Sequence, residues 1–194
     1  MKTNTYFWPK ITFMKIEETG IQGLILLKPK VYQDPRGYFF ESYNRNVFLS
    51  TGTDVDFVQD NESMSAKNVL RGLHFQRPPH AQGKLVRVIK GSVLDVAVDL
   101  RRDSSTYGQW RSVVLSDENK WMLWIPVGFA HGFVTLEDDT IFFYKCTGFY
   151  HKASEGSIRW NDPDLAINWG DIKNPVLSDK DREAPLFRDF TTPF

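Results

Sequence analysis

The chain is poor in sulfur chemistry: its 194 residues include one cysteine, Cys146. A lone cysteine cannot form an internal disulfide, which points to a reducing compartment and leaves packing to hold the fold. Cys146 sits in the apolar run Ile141-Phe142-Phe143-Tyr144-Lys145-Cys146 and reads as a small buried hydrophobe in preference to a nucleophile. An excess of charge of either sign is also missing. Lys and Arg total 24 against 24 Asp and Glu, whereas nonspecific nucleic-acid binding needs a clear basic surplus. A local basic pocket for one phosphorylated ligand remains compatible with that balance. No apolar run reaches the roughly 18 residues of a membrane-spanning helix. Residues 1–13 are aromatic and polar and lack the apolar centre of a signal peptide, so a cytoplasmic location is expected. Met14 offers an alternative start, which leaves 1–13 as an N-terminal extension before a single domain at 14–194. A chain this long buries about 70% of its unfolded surface and needs no disulfide or metal to fold.

Helical patterning is scarce as well. Short runs rich in Val, Ile, Phe and Tyr alternate with turn residues and predict an all-β sandwich or barrel with a few short helices. The predicted strands are Leu24–Leu27, Gly37–Tyr43, Val55–Gln59, Val69–Phe75, Leu85–Lys90, Ser92–Leu100, Gln109–Leu115, Trp121–Ile125, Gly132–Leu136 and Thr140–Thr147. Period-two alternation puts Leu94, Val96, Val98 and Leu100 on one face and Asp95 and Asp99 on the other. A short helix is expected over Arg45–Ser50, closed by Thr51-Gly52. Another is expected to start at Ser178, with Asp181 three residues later as a capping box.

Four histidines are available, His74, His80, His131 and His151, and two of them lie in apolar strand contexts. His74 belongs to Val69-Leu70-Arg71-Gly72-Leu73-His74-Phe75-Gln76, and His131 to Gly128-Phe129-Ala130-His131-Gly132-Phe133. Two strand histidines without an obvious third ligand make a poor metal site, so none is expected. Arg36, Arg71, Lys84 and Arg87 fall within or beside strands. They either form internal salt bridges, with Glu41 or Asp60 as partners, or line a pocket for a diphosphate, whose oxygens suit arginine's bidentate fork. In Phe57-Val58-Gln59-Asp60-Asn61 the polar triplet reads as an edge turn or as amides that recognise a base or sugar.

Taken together, these segments resemble the dTDP-4-dehydrorhamnose 3,5-epimerase family of the cupin superfamily. The resemblance rests on Asp34-Pro35-Arg36-Gly37 with Phe39-Phe40-Glu41, on Gln59-Asp60-Asn61, on the two histidine segments, and on Ala81-Gln82-Gly83-Lys84-Leu85-Val86-Arg87. Trp160-Asn161-Asp162-Pro163-Asp164 and Leu177-Ser178-Asp179-Lys180-Asp181 complete it, over about Gly20 to Phe187. It implies a cupin-type jelly roll, a homodimer that exchanges N-terminal strands, no metal or other cofactor, and a dTDP-4-dehydro-6-deoxy-glucose substrate. It implies further that His74 is the base, oriented by Asp181, and that Tyr144 is the proton donor. Lys84, with His131, would stabilise the oxyanion. Arg71 would hold the nucleotide, with Arg36 and Glu41 arriving from the other subunit. Gln59, Asp60, Asn61, Glu155 and Lys180 match further ligand contacts, and Tyr150 an aromatic that stacks on thymine.

One point of geometry strains these roles. Arg71 and His74 are three residues apart, so a regular strand aims them at opposite faces; both can serve one pocket only if the strand bulges, and Gly72 is the natural place. Three other readings compete: a single-site 3- or 5-epimerase, a metal-dependent cupin enzyme, and a non-catalytic sugar-binding jelly roll.

Overall fold

The structure, a computed structural model, describes residues 14–194; the expectation of an extension at 1–13 lies outside the described residues. The strands in chain order are β1 (Met14–Glu18), β2 (Ile25–Pro29), β3 (Tyr32–Asp34), β4 (Gly37–Phe39), β5 (Gln59–Ser65), β6 (Leu70–Gln76), β7 (Lys84–Lys90), β8 (Ser92–Asp99), β9 (Trp110–Ser116), β10 (Met122–Ile125), β11 (Phe129–Thr135), β12 (Thr140–Cys146) and β13 (Glu155–Ser157). Two short helices accompany them, α1 (Arg45–Leu49) and α2 (Asp179–Arg182). A six-stranded sheet in the order β1-β2-β10-β7-β12-β5 faces a five-stranded sheet in the order β13-β6-β11-β8-β9, and β3-β4 forms a separate hairpin. All the strand pairs are antiparallel, and the result is the all-β jelly-roll sandwich that the sequence predicted.

Three apolar layers follow from strand alternation. Between the sheets, Val86, Val88, Leu123 and Phe142 of one meet Val93, Ala97, Leu115 and Phe133 of the other. The outer face of the six-stranded sheet (Leu27, Leu85, Met122, Trp124) is covered by Phe48 of α1, with Tyr43 and Phe57 beside it. The outer face of the five-stranded sheet (Leu70, Phe75, Val96, Val98, Val134) is covered by Ile158, Leu165 and Trp169 of the C-terminal segment. The predicted split of β8 therefore holds, with Leu94, Val96, Val98 and Leu100 in the outer layer. What the alternation did not convey is that the aspartate face is also inside: Asp95 and Asp99 are both 0% exposed. Arg101, Ser104 and Thr106 donate hydrogen bonds to Asp99 at 2.6–2.8 Å, so its burial is fully compensated.

Several element boundaries correct the sequence reading. Val55–Gln59 is not a strand; pairing with β12 begins only at Gln59 and runs to Ser65. The predicted strand at Gly37–Tyr43 stops at Phe39, because its partner β3 is three residues long. β1, β3 and β13 were not anticipated, and β11 starts at Phe129, three residues earlier than predicted. Both helices form where expected. Ser178 caps α2 by accepting a hydrogen bond from the Asp181 amide at 3.2 Å, but the Asp181 carboxylate does not return to the cap and turns to His74 instead.

Candidate active site

The site begins with an irregularity in β6. Its pairing with β11 runs His131 to His74 and then Phe133 to Arg71, so three steps on β6 match two on β11. The surplus residue is a bulge, and it turns Arg71 and His74 toward one cavity. Gly72 makes it possible. Its φ is +145°, and a Cβ there would come within 2.5 Å of the Gly132 Cα, so no other residue fits.

The cavity is about 390 Å³ and is lined by Arg71, His74, Lys84, His131, Tyr144 and Asp181, with Ser63, Phe133, Phe142 and Leu177 among the walls. A second chamber of about 180 Å³ shares His74, Lys84 and Tyr144 and extends to Gln59, Asn61, Gln76, Tyr150 and Glu155. The shared trio thus stands where the two chambers meet.

His74 Nε2 hydrogen-bonds the Asp181 carboxylate, and among the described residues its Nδ1 has no partner. With Nε2–H donated to a carboxylate, Nδ1 carries the ring's lone pair, the arrangement of an oriented base. The His74 side chain is 32% exposed and that of Asp181 3%. Burial works to raise the Asp181 carboxyl, but the hydrogen bond and charge of His74 outweigh it and hold it below its ordinary value. His131, directly across from His74, hydrogen-bonds Asp95 at 2.9 Å, and both are buried. Burial pushes the His131 imidazole down, against the opposing attraction of Asp95.

Lys84 opens β7, and its Nζ lies 5.8 Å from the centre of the Tyr144 ring. Burial pushes the Lys84 ammonium down from its usual range and pushes the Tyr144 hydroxyl up. A phenol held protonated can donate, and an ammonium in a partly dry wall can stabilise developing negative charge. Arg71 is exposed and uses Nε and Nη2 on Ser65 at 3.3 and 3.0 Å.

The remaining predicted residues divide into those the chain gathers and those it does not. Gln59 and Asn61 hydrogen-bond each other at 2.9 Å, and Gln59 accepts from the Tyr150 amide. Glu155 and Lys180 form a 2.8 Å ion pair between β13 and α2. Asp60, one step out of phase with Gln59 and Asn61, faces away from the chambers and pairs with Lys145 at 2.8 Å. Arg36 and Glu41 line neither chamber: exposed Arg36 pairs with Asp34 at 2.6 Å, and Glu41 accepts from Asn44. Cys146 is buried and accepts a 3.4 Å contact from Asn61; burial pushes its thiol up while Lys84 opposes that.

Sequence reasoning missed Asp95, Ser63 and Ser65. Gln59, Asn61, Ser63 and Ser65 repeat every second residue, a signal of one polar face that hydrophobic patterning passes over. Among the described residues no three His, Cys, Asp or Glu side chains gather to hold a metal ion. Nor is any described helix long and apolar enough to cross a membrane.

Known proteins share this architecture and much of this sequence. The sequence profile of the dTDP-4-dehydrorhamnose 3,5-epimerase family matches residues 18–189. The epimerase of that name from Salmonella typhimurium is 57% identical over 174 residues, covering 89% of this chain and 95% of the relative. A crystal structure of the Bacillus anthracis enzyme with TDP and PPi bound superposes with a TM-score of 0.87 at 48% identity, covering 90% of this chain and 99% of that one. The Legionella pneumophila dTDP-6-deoxy-D-glucose-3,5-epimerase, in complex with dTDP-4-keto-L-rhamnose, gives 0.86 at 50% identity, with 90% and 93% covered. The match spans nearly the whole sandwich together with the C-terminal segment that carries Asp181, and the chain belongs to the dTDP-4-dehydrorhamnose 3,5-epimerase family.

Proposed function

We propose that the chain converts dTDP-4-dehydro-6-deoxy-D-glucose to dTDP-4-dehydro-L-rhamnose, inverting C3 and C5 without a metal or other cofactor. The observation that carries this reading is the convergence of the His74–Asp181 pair, Lys84 and Tyr144 on one cavity. The ketone at C4 acidifies the hydrogens on C3 and C5. His74 Nδ1 takes one of them, and the C–H electron pair moves into an enolate whose oxygen Lys84, with His131, stabilises. Asp181 holds the ring and balances the imidazolium. Tyr144 returns a proton to the other face of the carbon, the enolate electrons re-form the C–H bond, and solvent restores both side chains.

Arg71 suits the diphosphate, and Tyr150, 55% exposed at the second chamber, offers a face for thymine. Gln59, Asn61, Glu155 and Lys180 line or flank that chamber as further contacts. Arg36 and Glu41 act in this reading from a second subunit of a homodimer with exchanged N-terminal strands, and Asp60 serves at its rim. Exposed Tyr38 and Phe39 on the same hairpin favour a covered surface there. The working unit is the single domain 14–194 in the cytoplasm.

Proton NMR of the purified, metal-stripped protein with this substrate in deuterium oxide tests the reading. Deuterium entering at C3 and C5 is expected. Entry at one carbon identifies a single-site epimerase, and binding without exchange identifies a sugar-binding module. Tyr144→Phe is expected to lower kcat by about 100-fold with KM nearly unchanged, as for loss of a general acid.

A further inference from the structure

Tyr150, the aromatic assigned to the base, stands on a stretch of chain that belongs to no strand or helix. The stretch is open to solvent, with Phe149 70% exposed and Tyr150 55%. A segment of this kind ordinarily moves, and ordering it on binding lowers affinity. Here its backbone is held at three successive residues by side-chain amides. Gln76 Nε2 donates to the Phe149 carbonyl at 3.2 Å, Gln59 Oε1 accepts from the Tyr150 amide at 2.9 Å, and Gln76 Oε1 accepts from the His151 amide at 2.7 Å. Both glutamines and Tyr150 line the second chamber.

Gln76 is the centre of this clamp. It is buried at the end of β6, two residues beyond His74. Its Nε2 also donates to the His80 carbonyl at 2.6 Å, so the loop after β6 is tied to the segment after β12. The His80 ring stacks on that of His151, with centroids 3.8 Å apart, and Gln82 Nε2 donates to the Gly148 carbonyl at 2.5 Å, which closes the same junction from the other side. With both amide hydrogens on main-chain carbonyls, Gln76 has no donor left for a ligand. We propose that Gln76 is a positioning residue for nucleotide recognition: it pins the backbone of Phe149, Tyr150 and His151 so that the Tyr150 ring is set at the second chamber before the base arrives. The proposal rests on the reading of Tyr150 as the face for thymine. It gives Gln76 a part in affinity for the nucleoside diphosphate and none in proton transfer at His74.

Gln76→Met is the discriminating variant, because it keeps the length of the side chain and removes the amide. Its effect is read in a double-mutant cycle with Tyr150→Ala, using dTDP as the probe in titration calorimetry. With Tyr150 present, Gln76→Met is expected to raise the Kd for dTDP about ten-fold, and KM with it, while kcat stays within about two-fold. In the Tyr150→Ala background the same change should leave Kd unaltered, since no ring remains to be positioned. Equal losses in both backgrounds overturn the proposal, and so does an unchanged Kd with Tyr150 present. A fall in kcat at constant KM overturns it as well, by placing the effect at His74. Should Gln76→Met fail to fold, amide hydrogen exchange of the ligand-free wild-type protein decides. The Tyr150 and His151 amides must already be protected; exchange at the free-chain rate that slows only with dTDP overturns the proposal. A normal Kd in Tyr150→Ala alone removes the base-stacking reading and this proposal with it, an outcome the cycle separates from a failure of Gln76.

Discussion

His74 and His131 face each other across the β6–β11 pairing, and each holds an aspartate by Nε2, yet their surroundings make them different groups. The outer pair is partly open, with a His74 side chain 32% exposed and a carboxylate delivered by a helix from outside the sandwich. The inner pair is sealed, with side chains 7% and 0% exposed and a carboxylate from a core strand. The same two residue types therefore yield one ring with Nδ1 open to the cavity, placed in the proposed mechanism to take a proton from a bound sugar, and one sealed ring whose basicity burial pushes down. Solvent access and the element that supplies the carboxylate, more than the chemistry of the dyad, distinguish the two pairs.

The largest test of this contrast is His74→Ala. Exchange at C3 and C5 should fall by about 10⁴-fold, the upper range for a general base; substantial residual exchange in the deuterium oxide assay would move the base to the inner pair. Asp181→Asn should lower kcat by about 100-fold with KM little changed, since it removes orientation and charge balance but leaves the ring. A KM effect alone in steady-state kinetics would make Asp181 a binding group.

Asp99 sharpens the comparison from the sealed side, as a buried aspartate with every hydrogen bond made. Burial alone would raise its carboxyl, but donors from Arg101, Ser104 and Thr106 outweigh that and bring it down to about 2. A folded value below the unfolded one gives stability that is fully present above the unfolded pKa of about 4 and is lost as the pH falls toward 2. Asp99→Asn should therefore cost about 2 kcal/mol near neutral pH in urea unfolding, with a difference that shrinks below pH 4. The smallest effect is expected at Asp60, whose half-exposed pair with Lys145 should contribute no more than about 0.5 kcal/mol. Asp60→Ala should leave KM within about two-fold; a larger rise would place this carboxylate against substrate through a second subunit.

How much of this was legible in the sequence depended on which face of a strand was apolar. β7, β8, β10 and β12 carry the alternation of a sandwich interior and were found. β5, Gln59–Ser65, carries the reverse: its inward side chains are Gln59, Asn61, Ser63 and Ser65, while Met64 is 65% exposed. A strand that lines a polar chamber hides from hydrophobic patterning, and the apolar stretch just before it, Val55–Val58, drew the prediction to the wrong place. The resemblance carried the identities of His74, Lys84, Tyr144 and Asp181, and the three-residue gap between Arg71 and His74 correctly pointed to a bulge at Gly72. Asp95 was visible only as the polar side of an alternating strand. That its face lay inside followed from the second covering layer of Leu165 and Trp169, far along the chain.

That late segment has a consequence in time. Every sandwich strand is complete by Ser157, whereas the carboxylate that orients His74 arrives at residue 181, tied back to β6 by the Val69–Val176 bridge. Because a chain is made from its N-terminus, the two sheets can pair before His74 meets its carboxylate, while the cavity wall of Val176, Leu177 and Ser178 and the cover of Leu165 and Trp169 arrive only with the late segment. The last helical turn thus supplies a cavity wall and the partner of His74 together, and a polypeptide clipped before Val176 would lack both.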